Sequence, residues 1–486
     1  MAIQWLKLGI LFVTFLLRVG SLDAQGLWRD EVDQWRFAFQ SLPELLGNFL
    51  KPGWNGPLYS PLLRAWVGVA GQSVFAMRLL SVFWDVLGVG LAVALAQRLA
   101  GRRVSLAAGL LIAVSPYMTW YAQEIKMYTW VPMLVLLALY ALDRACRQPR
   151  RAWWLVVFAA TTLAIYSHIL AALLIPVLGL WFLLHPMRDP RAWLGGGVVL
   201  GALTLPYLPL LAWQWPLLWQ TRETGYPDLT FGEMASALLN GWSAGVSQGA
   251  WGTPEVLLAI TVGTTAVASV GLGWLWVGRG PRRSKQLGLW LALPLVLVWA
   301  ISQRGPIFTD RYLIWSLPAF CILLAGGVVT LGRAFRPAGL VALAGLATIA
   351  MHGWVAQAAI PIKPEFEAAV EVVESQRGER DLLVFQIPYN HHVFNFYATD
   401  GLGAWVEAPY TNWREADSSY RVDSDMVGRQ MRGLVAGYDR IWLIYSEYQL
   451  WDERELVKSW LRENYDLAQQ VDFHGVSLLL FRRPPR

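Results

Sequence analysis

Stretches of about twenty apolar residues recur from the N-terminus to about residue 360, and they constrain the fold more than any other feature. A run of that length crosses the hydrocarbon core of a bilayer as a single helix. Of the 486 residues, 56% are hydrophobic and only 15% are charged, whereas soluble domains carry about 25% charged residues. We therefore predict a polytopic α-helical membrane protein. The runs place about eleven spans at residues 3–20, 78–99, 104–120, 128–145, 152–167, 169–185, 192–213, 254–277, 286–301, 312–330 and 338–358.

Basic residues between the runs predict the orientation, because Lys and Arg are enriched in short cytoplasmic loops. A cytoplasmic N-terminus puts every basic loop on the cytoplasmic side and the C-terminal region outside. These loops are 98–103, 144–151, 188–191, 279–285 and 333–336. Residues 57–72 are apolar but short and interrupted by proline and arginine. We interpret them as an interfacial helix in the first outer loop, because a span there would invert all later loops against their charges.

The composition changes near residue 361, which divides the chain into a membrane domain (1–360) and a second domain (361–486). Amphipathic helices at 365–379, 425–437 and 453–464 alternate there with apolar strands at 381–386, 440–445 and 477–481. Such alternation predicts a small α/β domain, which the predicted topology makes extracytoplasmic. It has no glycine-rich phosphate loop and no nucleophile elbow, so the sequence assigns it no chemistry. Its pair His391 and His392 is more typical of a surface turn than of a metal site.

Charge and cysteine content exclude several classes of function. Residues 362–486 carry 14 Lys and Arg against 20 Asp and Glu, so the positive charge lies in the membrane part. The basic residues lie where the predicted topology explains them and form no stripe interleaved with exposed aromatic residues. We therefore expect no nucleic-acid partner. The two cysteines, Cys146 and Cys321, fall in or beside apolar runs, so neither a disulfide framework nor a cysteine metal cluster is available.

Polar residues from distant loops meet on the predicted outer face, where ionisable groups near a bilayer mark candidate functional sites. They are Asp30, Glu31, Asp33, Asn55, Gln123, Glu124, Lys126, Tyr128, His168, Asp310, Arg311 and Tyr312. A carboxylate can deprotonate an attacking hydroxyl, and Lys and Arg can hold a phosphate leaving group. These types suit transfer from a lipid phosphate to an acceptor. Two non-functional interpretations are equally open at this point. In one, the acidic residues form a solvated loop; in the other, Lys126 and Arg311 extend toward lipid headgroups.

Five stretches resemble, in order and at fitting spacing, the motifs of the membrane glycosyltransferases with the GT-C fold. The similarity is to the family around dolichyl-phosphate-mannose protein mannosyltransferases and the bacterial aminoarabinose and RgtA-like transferases. It covers about the first 330 residues, and each motif is weak alone. The stretches are Trp28-Arg-Asp-Glu31, Asn55-Gly-Pro-Leu-Tyr59, Phe75-Ala-Met-Arg78-Leu, residues 115–128, and Asp310-Arg-Tyr312 with the following Leu317-Pro-Ala319.

The resemblance implies an inverting glycosyltransferase that takes a sugar from a polyprenyl-phosphate carrier. It makes Asp30 and Glu31 the catalytic carboxylates, with Asp30 as the general base or as the group that orients the acceptor. It gives the donor phosphate to Lys126 and Arg311. Tyr128 and Tyr312 would assist the two cations. The supporting residues would be Arg78, at the start of the second predicted span, and the loop residues Asn55, Gln123, Glu124, Asp310 and His168.

Two departures from the family pattern matter. Lys126 stands where the family usually has arginine, which loses bidentate phosphate geometry. Asn55-Gly56 replaces His-Pro, so any metal contact of that histidine does not carry over. We therefore expect no obligatory metal and no other cofactor, although a divalent metal remains chemically possible.

A transporter or lipid flippase is the alternative from another class. It would use ionisable residues near mid-span and broken helices in matched halves. Only Asp85 lies clearly in the middle of a span, and no half-repeat is visible. A non-catalytic scaffold that presents the acidic C-terminal domain would leave the charges of the outer loops unexplained. Neither the sugar nor the acceptor, whether lipid, glycan or protein, can be read from the sequence.

Overall fold

The structure is a computed structural model that describes residues 2–51, 54–187, 189–215, 226–415 and 419–484. Arg188, in one of the predicted basic loops, lies outside these residues. The chain forms two compact units. The first comprises Met1–Leu22 and Phe37–Ile360, and the second comprises Asp23–Arg36 and Pro361–Arg486. The boundary near residue 360 was predicted from composition, whereas nothing in the sequence indicated that Asp23–Arg36 groups with the C-terminal residues.

Helices account for nearly all regular structure up to residue 360. Short 3₁₀ segments at Ile169–Leu173, Gln248–Trp251 and Asp310–Ser316 connect some of them. The helices are α1 (Ala2–Val19), α2 (Arg29–Ala38), α3 (Leu42–Phe49), α4 (Tyr59–Ala70), α5 (Val74–Leu99), α6 (Arg102–Ala113), α7 (Pro116–Ala122), α8 (Trp130–Arg147), α9 (Arg151–Ile165), α10 (Leu174–Leu183), α11 (Pro190–Ala202), α12 (Thr204–Gln214), α13 (Phe231–Ala244), α14 (Pro254–Arg279), α15 (Pro281–Ser302), α16 (Leu317–Ala334) and α17 (Arg336–Ala359).

Apolar helices confirm a multi-pass membrane protein. Among the described residues, six helices are long and apolar enough to cross a bilayer: Val74–Leu99, Pro190–Leu211, Pro254–Arg279, Pro281–Ser302, Asp310–Ala334 and Arg336–Ala359. A seventh span is possible if α6 and α7, bent by 58° at a short break, are taken together. The stretches at Arg151–Ile165 and Ile169–Leu183 are apolar but shorter. Each predicted span therefore falls on helix, while the number eleven stays a prediction.

A buried ion pair joins α1 to α5 in the first unit. Arg18 Nε lies 2.9 Å from Asp85 Oδ2, and both side chains are almost fully buried. The same guanidinium donates to the carbonyl of Ala113 at 2.7 Å and to Thr119 Oγ1 at 2.6 Å. A buried charge is tolerated only when it is paired and hydrogen-bonded. Asp85, the mid-span carboxylate that a transporter would need, is therefore engaged in holding helices together.

Glycines let α14 and α16 approach closely. A Cβ on Gly271 would lie 1.9 Å from the carbonyl oxygen of Leu323, and one on Gly327 would lie 1.9 Å from that of Val267. No residue larger than glycine fits either position without moving a helix. Small residues at helix contacts are common in membranes, because helix association there depends on close van der Waals packing.

The second unit contains a five-stranded sheet with helices. Its elements after residue 360 are α18 (Phe366–Gln376), β1 (Asp381–Phe385), α19 (Asn390–Tyr397), β2 (Trp405–Glu407), α20 (Ser424–Leu434), β3 (Arg440–Tyr445), α21 (Leu456–Asn464), β4 (Asp466–Phe473) and β5 (Val476–Arg482). The strand order is β2-β1-β3-β5-β4. Strand β1 runs parallel to both β2 and β3, and β5 runs antiparallel to β3 and β4. The predicted small α/β fold of this region is thus observed.

Burial explains which elements of the sheet the sequence revealed. Strands β1 and β3 are buried on both faces, so they read as continuous apolar runs and were predicted. Strand β4 is an edge strand whose residues are all exposed or half-buried, and β2 has only three residues. Both were missed, because neither a long apolar run nor a clear alternation marks them.

Candidate functional site

The loop between α7 and α8 carries Lys126 in the first unit. Ser115 caps α7 by accepting a hydrogen bond from the Met118 amide at 3.3 Å, and Pro116 begins the helix. These residues start a new helix 58° off the direction of α6, and this helix leads into a loop with buried residues. Lys126 is only 4% exposed and Glu124 only 1%. An ammonium group in such a place is costly unless an anion or polar groups surround it.

Ser81 on α5 holds this loop in place. Its hydroxyl donates to the carbonyl oxygen of Glu124 at 2.6 Å and lies 3.2 Å from the hydroxyl of Tyr59. In return, Thr129 Oγ1 donates to the Ser81 carbonyl at 2.9 Å. The sequence analysis did not single out Ser81, because a serine inside an apolar span carries no signal of its own. Its contacts assign it to fixing the backbone on either side of Lys126.

Arg311 lies close to aromatic residues of the same unit. Its guanidinium carbon is 5.6 Å from the ring centre of Tyr128, and its backbone amide donates to Asp310 Oδ1 at 2.9 Å. The other carboxylate oxygen of Asp310 accepts from the hydroxyl of Tyr117 at 3.0 Å. Tyr117 belongs to the quoted stretch 115–128, but its type alone did not distinguish it from a core residue. Asp310 thus orients the backbone that presents Arg311.

His168 and Tyr312 extend this cluster. Their rings are 4.6 Å apart, and the Tyr312 hydroxyl is 2.8 Å from that of Tyr226. Burial and, to a smaller extent, the positive charges of Arg311 and Lys126 together lower the pKa of His168 to about 3. The two cations therefore act on one imidazole, which stays neutral near pH 7.

Asn55 lies beside the turn that carries His168. The Gly56 amide donates to the Ser167 carbonyl at 3.1 Å, and the Leu58 amide donates to that of Tyr166 at the same distance. A Cβ on Gly56 would lie 2.1 Å from the Tyr166 carbonyl oxygen. The glycine that replaces the family's proline is thus required by this backbone contact.

Gln123 and Arg78 hold the C-terminal end of α1. Gln123 Nε2 donates to the Arg18 carbonyl at 2.8 Å and to Ser21 Oγ at 3.1 Å. A guanidinium nitrogen of Arg78 donates to the carbonyl of Leu22 at 2.8 Å, and Arg78 is 1% exposed. Both side chains therefore fix backbone that precedes the first loop, which suits supporting residues better than groups that touch a substrate.

Asp30 and Glu31 lie in the first turn of α2, within the second unit. Carboxylates are favoured there by the helix dipole. Glu31 accepts a hydrogen bond from Lys363 Nζ at 2.7 Å, and both side chains are buried. Asp33, on the next turn, pairs with Arg36 at 3.1 Å and is partly exposed. The partner Lys363 was missed, because it lies in a short stretch that was interpreted only as a change of composition.

Further contacts tie this segment to the C-terminal residues of the second unit. Gln25 Oε1 accepts from the backbone amides of Ile362 and Lys363 at 3.0 Å each, and Arg29 pairs with Glu447 at 2.8 Å. The ring of Trp35 packs edge-on against Phe396 at 5.1 Å. The acidic helix is therefore an integral part of the second unit and not a solvated loop.

The structure brings together six of the predicted residues in the first unit: Lys126, Tyr128, His168, Asp310, Arg311 and Tyr312. In the described residues, no group of three or more His, Cys, Asp or Glu side chains has a geometry suited to a metal ion. His391 Nδ1 donates to the Pro388 carbonyl at 2.6 Å, and the His391 ring stacks on Trp405 with ring centres 4.1 Å apart. The cluster as a whole offers two cations and tyrosine hydroxyls, a set that suits a phosphate group.

Comparison of the sequence with known proteins supports the resemblance. Residues 52–213 match the family described as dolichyl-phosphate-mannose-protein mannosyltransferase. An undecaprenyl phosphate-α-4-amino-4-deoxy-L-arabinose arabinosyl transferase of Pseudomonas aeruginosa is 30% identical over 365 residues, which is 71% of this chain and 64% of that protein. The corresponding transferase 1 of Pseudomonas fluorescens is 25% identical over 63% of this chain and 55% of its own length. The chain thus matches under two thirds of the length of these relatives.

Solved structures share the fold. ArnT of Cupriavidus metallidurans, crystallised with undecaprenyl phosphate, superposes with a TM-score of 0.58 at 14% identity, covering 99% of this chain and 98% of that one. The oligosaccharyltransferase of Archaeoglobus fulgidus also gives 0.58, at 13% identity, covering 98% of this chain and 73% of the other. At identities this low, the similarity supports only a shared fold. That fold is the GT-C fold predicted from the motifs.

Proposed function

This chain is a membrane protein with the GT-C fold and is related in sequence to the aminoarabinose transferases, and from that premise we propose that it is an inverting glycosyltransferase. Its donor is a sugar linked to a polyprenyl phosphate. The acceptor is a lipid, glycan or protein. The observation that carries the proposal is the cluster around Lys126 and Arg311, which lie in loops 185 positions apart in sequence. The Arg311 guanidinium lies 5.6 Å from the ring of Tyr128, and the rings of Tyr312 and the buried His168 are 4.6 Å apart.

The chemistry follows from these residue types. Asp30 takes the proton of an acceptor hydroxyl, and the oxygen attacks the anomeric carbon of the sugar. The bond from that carbon to the phosphate oxygen breaks, and the electron pair leaves with polyprenyl phosphate. A single displacement inverts the anomeric configuration. Lys126 and Arg311 stabilise the added charge on the phosphate, which leaves without being protonated.

No metal enters this proposal, since the two cations supply the charge that the leaving group needs. Tyr128 and Tyr312 orient the phosphate beside them. Arg78, Gln123, Glu124, Asn55, Asp310 and His168 are proposed as supporting residues. The hydrogen bonds of Arg78, Gln123 and Asp310 to neighbouring backbone support that assignment for these three residues.

We place the reaction at the outer face of the cytoplasmic membrane, with about eleven spans, a cytoplasmic N-terminus and an extracytoplasmic domain at residues 361–486. The distribution of Lys and Arg among the loops supports this orientation. A donor on the outer face carries its own activation in the sugar–phosphate bond, so no nucleotide is required there.

Substitution of Asp30 tests the proposed base. Membranes containing Asp30→Asn are expected to lose transfer by at least about 10²-fold, since general-base catalysis contributes 10²–10⁴-fold. The substrate is the lipid-linked sugar that accumulates in cells lacking the protein. Asp33→Asn is the matched control, because Asp33 is a partly exposed carboxylate on the same helix. Full activity of a folded Asp30→Asn protein would overturn Asp30 as the base.

A further inference from the structure

A basic cavity of about 280 Å³ opens in the first unit, away from every residue of the proposed site. It is lined by Arg98, Arg144, Arg147 and Gln148. Arg98 is in the last turn of α5, and the other two arginines are in the last turn of α8. The cavity thus collects three guanidinium groups at neighbouring ends of two packed membrane helices. Glycosyl transfer as proposed above uses none of them.

The positive charge of this cavity exceeds what the protein itself neutralises. Asp143 is buried and pairs with Arg98 and, at 3.2 Å, with Arg147. His185 Nε2 lies 3.4 Å from the same carboxylate. One carboxylate therefore serves two arginines and a histidine, and Arg144 is left outside this network. Among the residues that the structure describes, Nε of Arg144 is buried and has no hydrogen-bond partner.

Aromatic residues place the cavity at the edge of the bilayer. The guanidinium carbon of Arg144 lies 5.1 Å from the ring centre of Trp153, and that of Arg98 lies 5.7 Å from Tyr140. The two rings are themselves 6.1 Å apart. Trp and Tyr concentrate at the level of lipid headgroups, because one end of each side chain is apolar and the other seeks water. Stacking on Trp153 also holds Arg144 in one orientation, so a ligand need not order it.

We propose that this cavity binds the phosphate of an anionic phospholipid headgroup. Three arginines match a phosphate diester by charge and by their planar donors. The volume is larger than one phosphate needs and leaves room for part of a headgroup. Basic pockets between membrane helices on the cytoplasmic side are a common way to bind such lipids, and the loops at this end of α5 and α8 are those predicted to be cytoplasmic. The proposal does not depend on the enzymatic activity.

Native mass spectrometry of the purified full-length protein in detergent tests this site. The parent protein is titrated with phosphatidylglycerol and, separately, with phosphatidylcholine. Arg144→Gln is expected to weaken the first phosphatidylglycerol binding step by about tenfold, which is what about 1.4 kcal/mol represents. The matched control is Arg151→Gln, since Arg151 is exposed at the start of α9 and does not line the cavity. Phosphatidylcholine is expected to bind equally to all three proteins.

A further variant and a competition experiment distinguish the remaining outcomes. Arg144→Lys preserves the charge without the planar donors, and is expected to bind at an intermediate level even if Arg144→Gln fails to fold. Inorganic phosphate in large excess is expected not to displace the lipid. Displacement by phosphate alone would overturn the lipid assignment in favour of a small free anion. Equal weakening of phosphatidylglycerol binding in Arg144→Gln and Arg151→Gln would overturn the site itself, because a change in net charge alone would then explain the effect.

Discussion

Glu31 is held by a cation 332 positions further along the chain, and no local pattern could have revealed it. From the sequence, Glu31 was one of three carboxylates in a short acidic stretch, assigned beside Asp30 by resemblance. In the second unit its carboxylate is buried against Lys363. Removing either partner would leave a buried charge uncompensated, which is strongly destabilising. Residue types suggested a chemistry for the pair Asp30 and Glu31, but only the fold reveals which cation Glu31 contacts.

Lys126 and Arg311 were identified more readily, because a charged residue beside an apolar run is conspicuous. The residues around them were not identified from the sequence. Ser81 and Tyr117 are ordinary residues of apolar helices, and their importance depends on where α5 and α7 bring them. Sequence reasoning thus found the charged members of the cluster and missed the hydroxyls that fix the backbone around them.

Lys126→Ala is predicted to lower the rate of transfer by about 10²–10³-fold, the range that follows loss of one charge-stabilising donor. Lys126→Arg is expected to retain much of the activity, because it keeps a positive charge at this position. Lys285→Ala, an exposed lysine in α15, is the control. Initial rates in membranes with matched protein amounts measure the effect. A fully active Lys126→Ala protein would remove Lys126 from the donor site.

The lowered pKa of His168 predicts acid sensitivity of folding. Between about pH 3 and 6.5 the folded protein keeps His168 neutral while the unfolded chain protonates it. The unfolded state then binds more protons, so stability falls as the pH drops through this window. At about pH 5 this protonation of the unfolded chain lowers the free energy of unfolding by about 2 kcal/mol at most.

Thermal unfolding in detergent measures this effect. His168→Gln is expected to lose less stability than the parent protein on going from about pH 7.5 to pH 5. His474→Gln replaces an exposed histidine and serves as control. An identical acid-induced loss in the parent and in His168→Gln would show that His168 is not held neutral in the folded state.

At the scale of elements, breaks between helices matter as much as the helices. The stretch Ser115-Pro116 was recognised as a motif, and it starts α7 at an angle to α6, which leads the chain into the Lys126 loop. A serine cap followed by proline predicts a helix start. The 58° bend itself could not be predicted, because it depends on what the two halves pack against.

Gly56→Ala is predicted to disturb the contact between residues 55–58 and the turn at His168. Its Cβ would overlap the Tyr166 carbonyl, so the backbone must shift at a cost of about 1–3 kcal/mol. Gly47→Ala is the matched control, because a Cβ at Gly47 meets nothing within 4 Å. The melting temperature should fall for Gly56→Ala alone. Equal stability of both variants would contradict the close approach.

At the scale of the whole molecule, apolar runs predicted the membrane character well, because the bilayer requires long apolar helices. The alternation of helices and strands after residue 360 predicted the sheet region equally directly. The grouping of Asp23–Arg36 with that region was out of reach, since it rests on contacts such as Gln25 with Ile362 and Arg29 with Glu447. Such contacts follow from the fold and cannot be predicted from composition or from hydrophobic periodicity.

The central claim is transfer of a sugar from a polyprenyl-phosphate carrier, and mass spectrometry of lipid-linked sugars in cells lacking the protein tests it most directly. One polyprenyl-phosphate sugar is expected to accumulate. The parent gene should return it to its normal level, whereas Asp30→Asn should not. An unchanged set of lipid-linked sugars in cells lacking the protein would contradict the claim and favour a transporter or a scaffold instead.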